Sequence, residues 1–274
     1  MIFSRKRNLN YREVTISGVN IARKSEARFL GVLMDENLTW SQHVSTVKMK
    51  MSRYIGIMYK LKKFLPLEAR LQIYHRFVQS HLNYCALVWG FCSKSHVDSV
   101  FSKQKTGLRA VMPGHVQYWY KDGTPPAHTK SSFHRYKILT FHSIIVKNTL
   151  ILMHKLKNMP QLLPISIKEM FPLDSPIFSI NVDIDQCTEW TEKYGKLPYN
   201  NTIFYKGPLL AISQKNIDAT SMPSLFNLNI YKKSIKSMLI EQQNEGATDE
   251  WPCFMLNDIS GLRKSKRTQT KGTT

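Results

Sequence analysis

The chain has 274 residues, 42% of them hydrophobic and 21% charged, enough apolar material for one sizeable core or two small ones, which argues against wholesale disorder. Lysine and arginine number 39 against 19 aspartates and glutamates, and the formal net charge of +20 points to a polyanionic partner, nucleic acid before an anionic membrane surface. Four cysteines, Cys85, Cys92, Cys187 and Cys253, are too sparse for a disulfide framework and fit a reducing compartment.

The first residues, Met1 to Arg7, have no apolar run behind their basic cluster, so a signal peptide and secretion are not expected. The most apolar window, Ile144 to Met153, is broken by Lys147 and Asn148 and is too short to span a membrane. The expected location is intracellular, nucleus or cytoplasm. Val14, Ile16, Val19 and Ile21 flank a Ser17-Gly18 turn signal and predict a short hairpin. A third strand is expected at Arg28 to Leu33, with Gly31 interrupting Phe29-Leu30 and Val32-Leu33 as a bulge or a point of close backbone approach. From Trp40 the period becomes helical: Val44, Val47, Met51, Tyr54, Ile55, Met58 and Leu61 recur at steps of three and four, with Ser41 as the expected N-cap. Pro66 opens a second helix whose stripe is Leu67, Leu71, Tyr74, Val78 and Leu82, expected to pack back on the first as an antiparallel pair. A third helix over 95–112 turns Val97, Phe101, Leu108 and Val111 inward, and Pro113-Gly114 ends it. Residues 114–128 read as an irregular connection. Thr140 then caps a helix through about Lys157, with Phe141, Ile144, Ile145, Leu152 and Leu156 inward and Pro160 and Pro164 stopping it. Residues 174–202 lack a period, a final helix over 229–243 presents Tyr231, Ile235, Met238 and Leu239, and a polar tail follows Asn244. The fold class is therefore mainly α with a small N-terminal antiparallel β element: a helical bundle followed by a smaller C-terminal helical and irregular region. The expected division is 1–38, 39–112, 113–243 and 244–274.

The charge is concentrated early. Residues 1–112 hold 19 Lys and Arg against 6 acids, and no acid occurs between residues 37 and 67. Lys50, Arg53 and Lys60 fall off the apolar stripe of the first long helix, Lys62 and Lys63 close its C-terminus, and Lys103, Lys105 and Arg109 lie off the stripe of the third. These eight are the candidate nucleic-acid-binding residues, with Trp40, Tyr54, Tyr59 and Phe64 near them but mostly following the core stripe. Catalytic chemistry finds little support. Two-metal phosphoryl transfer needs gathered carboxylates, and the local candidates, Asp183-Ile184-Asp185 and Asp35-Glu36, read better as an acidic loop and as a turn completed by Asn37. His81, Cys85, Cys92 and His96 can be assembled into a zinc site only with spacings that match no known finger, and Tyr84, Leu87, Val88 and Trp89 among them read as core, so packed free thiols are preferred. No Gly-x-Ser-x-Gly elbow occurs.

The run Arg28-Phe29-Leu30-Gly31-Val32, followed by Asp35-Glu36-Asn37-Leu38-Thr39-Trp40 and His43, resembles the segment that leaves the catalytic palm in reverse transcriptases of non-LTR (LINE-type, jockey-like) retrotransposons. Gly56-Ile57, Lys60-Leu61, Phe64-Leu65-Pro66, Tyr74, Tyr84-Cys85, Val88-Trp89-Gly90, Gln104-Lys105 and Arg109 continue the likeness into the thumb of that family. Tyr136 to Thr140, Tyr205-Lys206-Gly207-Pro208, and Ile230 to Lys233 with Ile235-Lys236 extend it into the region behind the thumb. One departure is Ala211-Ile212-Ser213, where the family often has a Trp-Asn pair soon after Gly-Pro. The resemblance implies that residues 1–38 are the end of a palm, with Phe29, Leu30 and Gly31 as a primer grip, and that 39–112 is a thumb laid along a primer–template duplex of RNA and DNA. The palm aspartates and the Phe/Tyr-x-Asp-Asp turn of the family do not occur here, so the chain is expected to be a C-terminal fragment of an RNA-directed DNA polymerase. On that reading it binds nucleic acid, has no polymerase activity of its own and holds no cofactor; magnesium belongs to the full-length family enzyme. A non-enzymatic helical interaction module is the alternative, and a complete enzyme using Asp183 and Asp185 a third reading.

Overall fold

The computed structural model describes residues 14–112, 129–171 and 228–245. The protein is mainly helical with a small antiparallel β element at its N-terminal end, and it divides into two compact units. The first holds the described residues up to Cys85 and those from Cys92 to Met112; the second holds Ala86–Phe91 and the described residues from Thr129 onward.

The first unit opens with the hairpin β1 (Thr15–Ile16) and β2 (Val19–Asn20), joined through Ser17 and Gly18, both at positive φ as a tight two-residue hairpin turn demands. The expected single strand over 28–33 is instead a second hairpin, β3 (Glu26–Phe29) and β4 (Val32–Asp35), with Phe29 opposite Val32 and Glu26 opposite Asp35. Gly31 is therefore not a bulge. Leu30 and Gly31 stand at φ 46° and 81° and form the turn between the strands. Leucine is a poor residue for this conformation, which costs roughly 1–2 kcal/mol outside glycine, and so the sequence there reads as strand.

Helix α1 (Ser41–Leu61) buries Val44, Val47, Met51, Ile55 and Met58 of the stripe its periodicity predicts, whereas Tyr54 is half-buried and Leu61, at the helix end, is exposed. Its cap differs from expectation. Ser41 is the first helical residue, and Trp40 occupies the capping position at φ 65° without a side-chain cap bond. The amide groups of the connection are satisfied by Asp35 instead. Its carboxylate accepts from the backbone N–H of Asn37, Thr39 and Trp40 at 2.9–3.1 Å and from the Thr39 hydroxyl at 3.1 Å. Burial pushes the Asp35 carboxyl up, but those donors outweigh it and hold the group below its ordinary value.

Helix α2 (Leu67–Ile73) follows Pro66 and runs without a break through a π-helical turn at Tyr74–Gln79 into α3 (Ser80–Asn83). Tyr74, Val78 and Leu82 are fully buried. Helix α5 (Lys94–Val111) packs along α1, and its Gln104 donates to the buried Tyr74 hydroxyl of the π-helical turn at 3.2 Å, so that buried polar pair is satisfied. Gly107 lies against Ile55 and Tyr74, and a Cβ there would stand 3.4 Å from each side chain.

In the second unit the short helix α4 (Ala86–Trp89) packs on α7 (Phe141–Asn158), with Trp89 stacked on Phe141 at 5.0 Å between ring centroids. Gly90 is required by space: a Cβ would lie 2.3 Å from the Ala86 carbonyl oxygen and 2.8 Å from Ile145. The expectation that Tyr84, Leu87, Val88 and Trp89 are all core fails for Tyr84 and Val88, which are exposed, and for Leu87, which is half-buried. A short helix α6 (Lys130–Arg135) precedes α7. Thr140 caps α7 as its sequence predicts, accepting from the Ser143 N–H at 3.2 Å. Beyond Pro160 and Pro164 a 3₁₀ turn and the short α8 (Ile165–Glu169) follow, and α9 (Leu228–Glu245) turns Tyr231, Ile235, Leu239 and Ile240 inward and packs on α6 and α7. The irregular connection at 114–128, the aperiodic stretch at 174–202 with Asp183 and Asp185, and the tail from 246 lie outside the described residues.

Candidate nucleic-acid interface

The candidate site in the first unit is built on α1. With 3.6 residues per turn, the buried stripe of Val44, Val47, Met51, Ile55 and Met58 leaves an opposite face carrying Lys50, Arg53, Gly56, Ile57 and Lys60. All five are exposed, no acid lies among them, and Gly56 has open space around it. This is a one-signed ridge with a flat spot at its centre. Lys63 is also exposed just beyond the helix, beside Phe64, whose side chain is 79% exposed.

The other candidate lysines and arginines are not on that ridge. Lys62 is half-buried, and its ammonium donates to the Arg109 carbonyl oxygen at 3.3 Å. Arg70, buried on α2, donates to the Met112 carbonyl oxygen at 3.3 Å. Arg109 joins them through its backbone. The cations thus gather where the last carbonyls of α5 point out, and the negative end of the helix offsets their charge. Burial, then the nearby Arg70 charge, lowers the Lys62 ammonium from its usual value. Lys62 and Arg70 thus close the end of α5. Lys103 and Lys105, two residues apart, emerge on opposite sides of α5, both half-buried, and the Lys105 ammonium lies 4.6 Å from the Phe101 ring centroid. The eight candidates therefore divide into an open group of Lys50, Arg53, Lys60 and Lys63 and a packed group of Lys62, Lys103, Lys105 and Arg109.

At one edge of the ridge Tyr54 stacks on Phe77 with centroids 4.7 Å apart, and His81 lies 5.9 Å from Tyr54. Burial, then the Lys50 charge, lowers the His81 imidazole. Lys50, Tyr54, Phe77 and His81 therefore share one patch, a cation beside a pair of partly exposed rings. Phe77 is not among the candidate residues read from the sequence, and His81 stands there only as a candidate zinc ligand, although an aromatic lying off the apolar stripe of α2 and α3 is a signal that can be found there. Tyr59 is turned inward, its hydroxyl donating to the Thr106 carbonyl at 3.3 Å, and Trp40 is buried.

The β3–β4 turn stands at the other end of the unit's β element. Phe29 and Leu30 are 63% and 74% exposed, and Gly31 completes the tip. Two bonds hold this hairpin to the helices: the Tyr84 hydroxyl donates to the Leu30 carbonyl oxygen, and the Leu33 N–H donates to His43 Nδ1 at 3.3 Å. The second bond requires neutral imidazole. Burial, then the Lys50 charge, pushes His43 down to about 4, so it is neutral at pH 7. Apolar Val14, Ile16, Val19 and Ile21 are exposed along the β1–β2 hairpin. Among the described residues no three His, Cys, Asp or Glu side chains gather as metal ligands: His81 stacks on Tyr54, and Glu36 pairs with Arg23. No described helix is long and apolar enough to cross a membrane.

Over 101 residues, 36% of this chain, the sequence is 28% identical to the probable RNA-directed DNA polymerase from transposon X-element of Drosophila melanogaster. A match of the same identity and length joins it to the RNA-directed DNA polymerase from mobile element jockey of Drosophila funebris. The matched stretch spans 11% of the length of each of these relatives. No family model matches, and no solved structure matches. Over that stretch the chain is distantly similar to RNA-directed DNA polymerases of mobile elements.

Proposed function

We propose that this chain is the C-terminal part of a non-LTR, jockey-like reverse transcriptase that holds a primer–template duplex through its phosphates and carries no polymerase chemistry of its own. In this reading residues 1–38 are the end of the palm, 39–112 the thumb, and 113–243 with the tail 244–274 the region behind it. The observation that carries the reading is the open face of α1, where Lys50, Arg53 and Lys60 stand exposed without an acid among them. An A-like duplex presents a wide, shallow minor groove between two phosphate rows, and a basic helix can lie along it without reading sequence. Gly56 at the centre of the ridge lets a partner approach the helix backbone. The Phe29-Leu30-Gly31 tip, fixed to the helices by Tyr84 and His43, is the primer grip in this assignment, and the Tyr54–Phe77 pair offers a stacking surface beside Lys50. The exposed apolar side of Val14, Ile16, Val19 and Ile21 suits strands detached from a larger sheet. Magnesium is assigned to the palm carboxylates of the full-length enzyme and to no residue here.

The test replaces Lys50, Arg53 and Lys60 together with Gln and measures binding to a labelled RNA–DNA primer–template. Backbone contacts predict weaker binding to every sequence alike; unchanged binding, or loss for one sequence only, contradicts the assignment. The exposed apolar strand edge also favours a second reading, a docking module for another protein. A stoichiometric protein partner retained after nuclease treatment, with no duplex binding, would select that one.

A further inference from the structure

In the second unit, α7 and α9 lie antiparallel and are pinned at both ends. The Thr140 N–H donates to Gln243 Oε1 at 3.2 Å, Gln243 Nε2 donates to the Ile138 carbonyl at 3.4 Å, and the His154 ring stacks on Tyr231 with centroids 3.7 Å apart. This register sets the middle of α7 against the middle of α9. By this register Lys147 of α7 lies level with Lys236 of α9, and Lys232 stands one turn along α9 from it. Lys147 is half-buried, while Lys232 and Lys236 are exposed. Among the described residues no carboxylate pairs with any of the three.

Burial, then the charges of Lys236 and Lys232, lowers the Lys147 ammonium from its usual value. Three like charges within about one turn of each other on a helix pair, one of them partly desolvated, repel one another. An arriving anion relieves that repulsion. The kind of anion follows from the groups present. Three ammonium groups on flexible stems act as point charges, without the fixed fork of an arginine that would orient a single phosphate or carboxylate. Lys232 and Lys236 are separated by about 6 Å along the helix axis, so they offer a row of charge and not a single pocket.

We propose that Lys147, Lys232 and Lys236 form a second phosphate-binding site, on the C-terminal unit, that takes the sugar–phosphate backbone of a nucleic acid. It rests on the nucleic-acid reading given above but uses none of the same residues. The experiment uses the full chain, a labelled RNA–DNA duplex and a series of salt concentrations. Lys232→Gln with Lys236→Gln removes two exposed charges and should flatten the slope of log affinity against log salt by about 1.4 to 1.8, at roughly 0.7 to 0.9 for each phosphate that is no longer neutralised. Lys147→Met removes the half-buried charge without opening a void; it should flatten the slope by the equivalent of one further phosphate and raise the thermal midpoint. Should Lys147→Met fail to fold, the exposed pair decides the matter alone. An unchanged slope and affinity in the Lys232/Lys236 variant, with the Lys50/Arg53/Lys60 variant weakened, overturns this site and leaves the thumb reading standing. The reverse pattern keeps this site and removes that reading. Displacement of the duplex by inorganic phosphate beyond the effect of chloride at equal ionic strength, abolished in the Lys232/Lys236 variant, is expected if the duplex occupies this site; saturable binding of inorganic phosphate that this variant abolishes while the duplex affinity and slope stay unchanged would assign the site to a free phosphate and overturn the backbone assignment.

Discussion

Two side chains near the β3–β4 hairpin show how much of this unit rests on single groups. His43 must be neutral to accept the Leu33 N–H, and burial with the Lys50 charge holds it at about 4 against an ordinary 6.5. A folded value below the unfolded one means that the stability it confers is present in full above pH 6.5 and is lost as pH falls from 6.5 towards 4. Urea unfolding across that range should show a loss of up to about 3 kcal/mol attributable to this group. In His43→Gln, whose amide oxygen can accept the same N–H, the pH dependence should shrink by one proton; an unchanged profile would mean that His43 is not the titrating group. Asp35 is the second case, since three backbone N–H groups and one hydroxyl converge on its carboxylate. Asp35→Ala leaves them without that acceptor and should cost about 2 kcal/mol in the same assay. Neither role is legible from the sequence. Asp35-Glu36-Asn37 reads there only as a polar turn, and His43 only as a histidine near an apolar stripe, because both depend on where the preceding hairpin packs.

Among the elements, the long helices are legible in the sequence and the short ones are not. The stripes of α1, α5 and α7 repeat over five turns or so, and Thr140 stands in the capping position with Ser143 three residues on, so period and cap agree. The second hairpin is hidden because Leu30 carries a conformation that its residue type disfavours, held there by the Tyr84 hydroxyl. The cations are harder still to sort. Lys62 and Arg109 lie off the apolar stripe just as Lys50 and Arg53 do, and only the packing of α1 and α2 against the end of α5 shows that Lys62 and Arg70 meet its carbonyls. Gly56 is the informative exception on the open ridge. A glycine in an exposed helix interior costs about 1 kcal/mol relative to alanine, and nothing surrounds this one. Gly56→Ala should therefore raise the stability measured by urea unfolding by that amount. If Gly56 serves an approaching backbone, the same substitution weakens duplex binding although the fold is stronger, a pairing of effects that a purely structural glycine does not produce.

At the scale of the molecule, charge and fold class are visible from composition and period, whereas the passage of Ala86–Phe91 out of the first unit to pack on α7 is not. Among the described residues, positive charge gathers in an open ridge in the first unit, in a group of cations at the end of α5, and in the three lysines of the α7–α9 pair. Lys62 and Arg70 bond to protein carbonyls and Lys105 packs over the Phe101 ring, so the number of phosphates neutralised should fall well below the total charge. Equilibrium binding of the full chain to a labelled RNA–DNA primer–template, measured by anisotropy from about 50 to 200 mM salt, tests the central claim directly. Backbone binding through the ridge predicts a linear fall of log affinity with log salt that becomes shallower by about 2 to 3 in the Lys50→Gln, Arg53→Gln, Lys60→Gln variant. Binding that does not change with salt, or a slope that the triple variant leaves untouched, would contradict it.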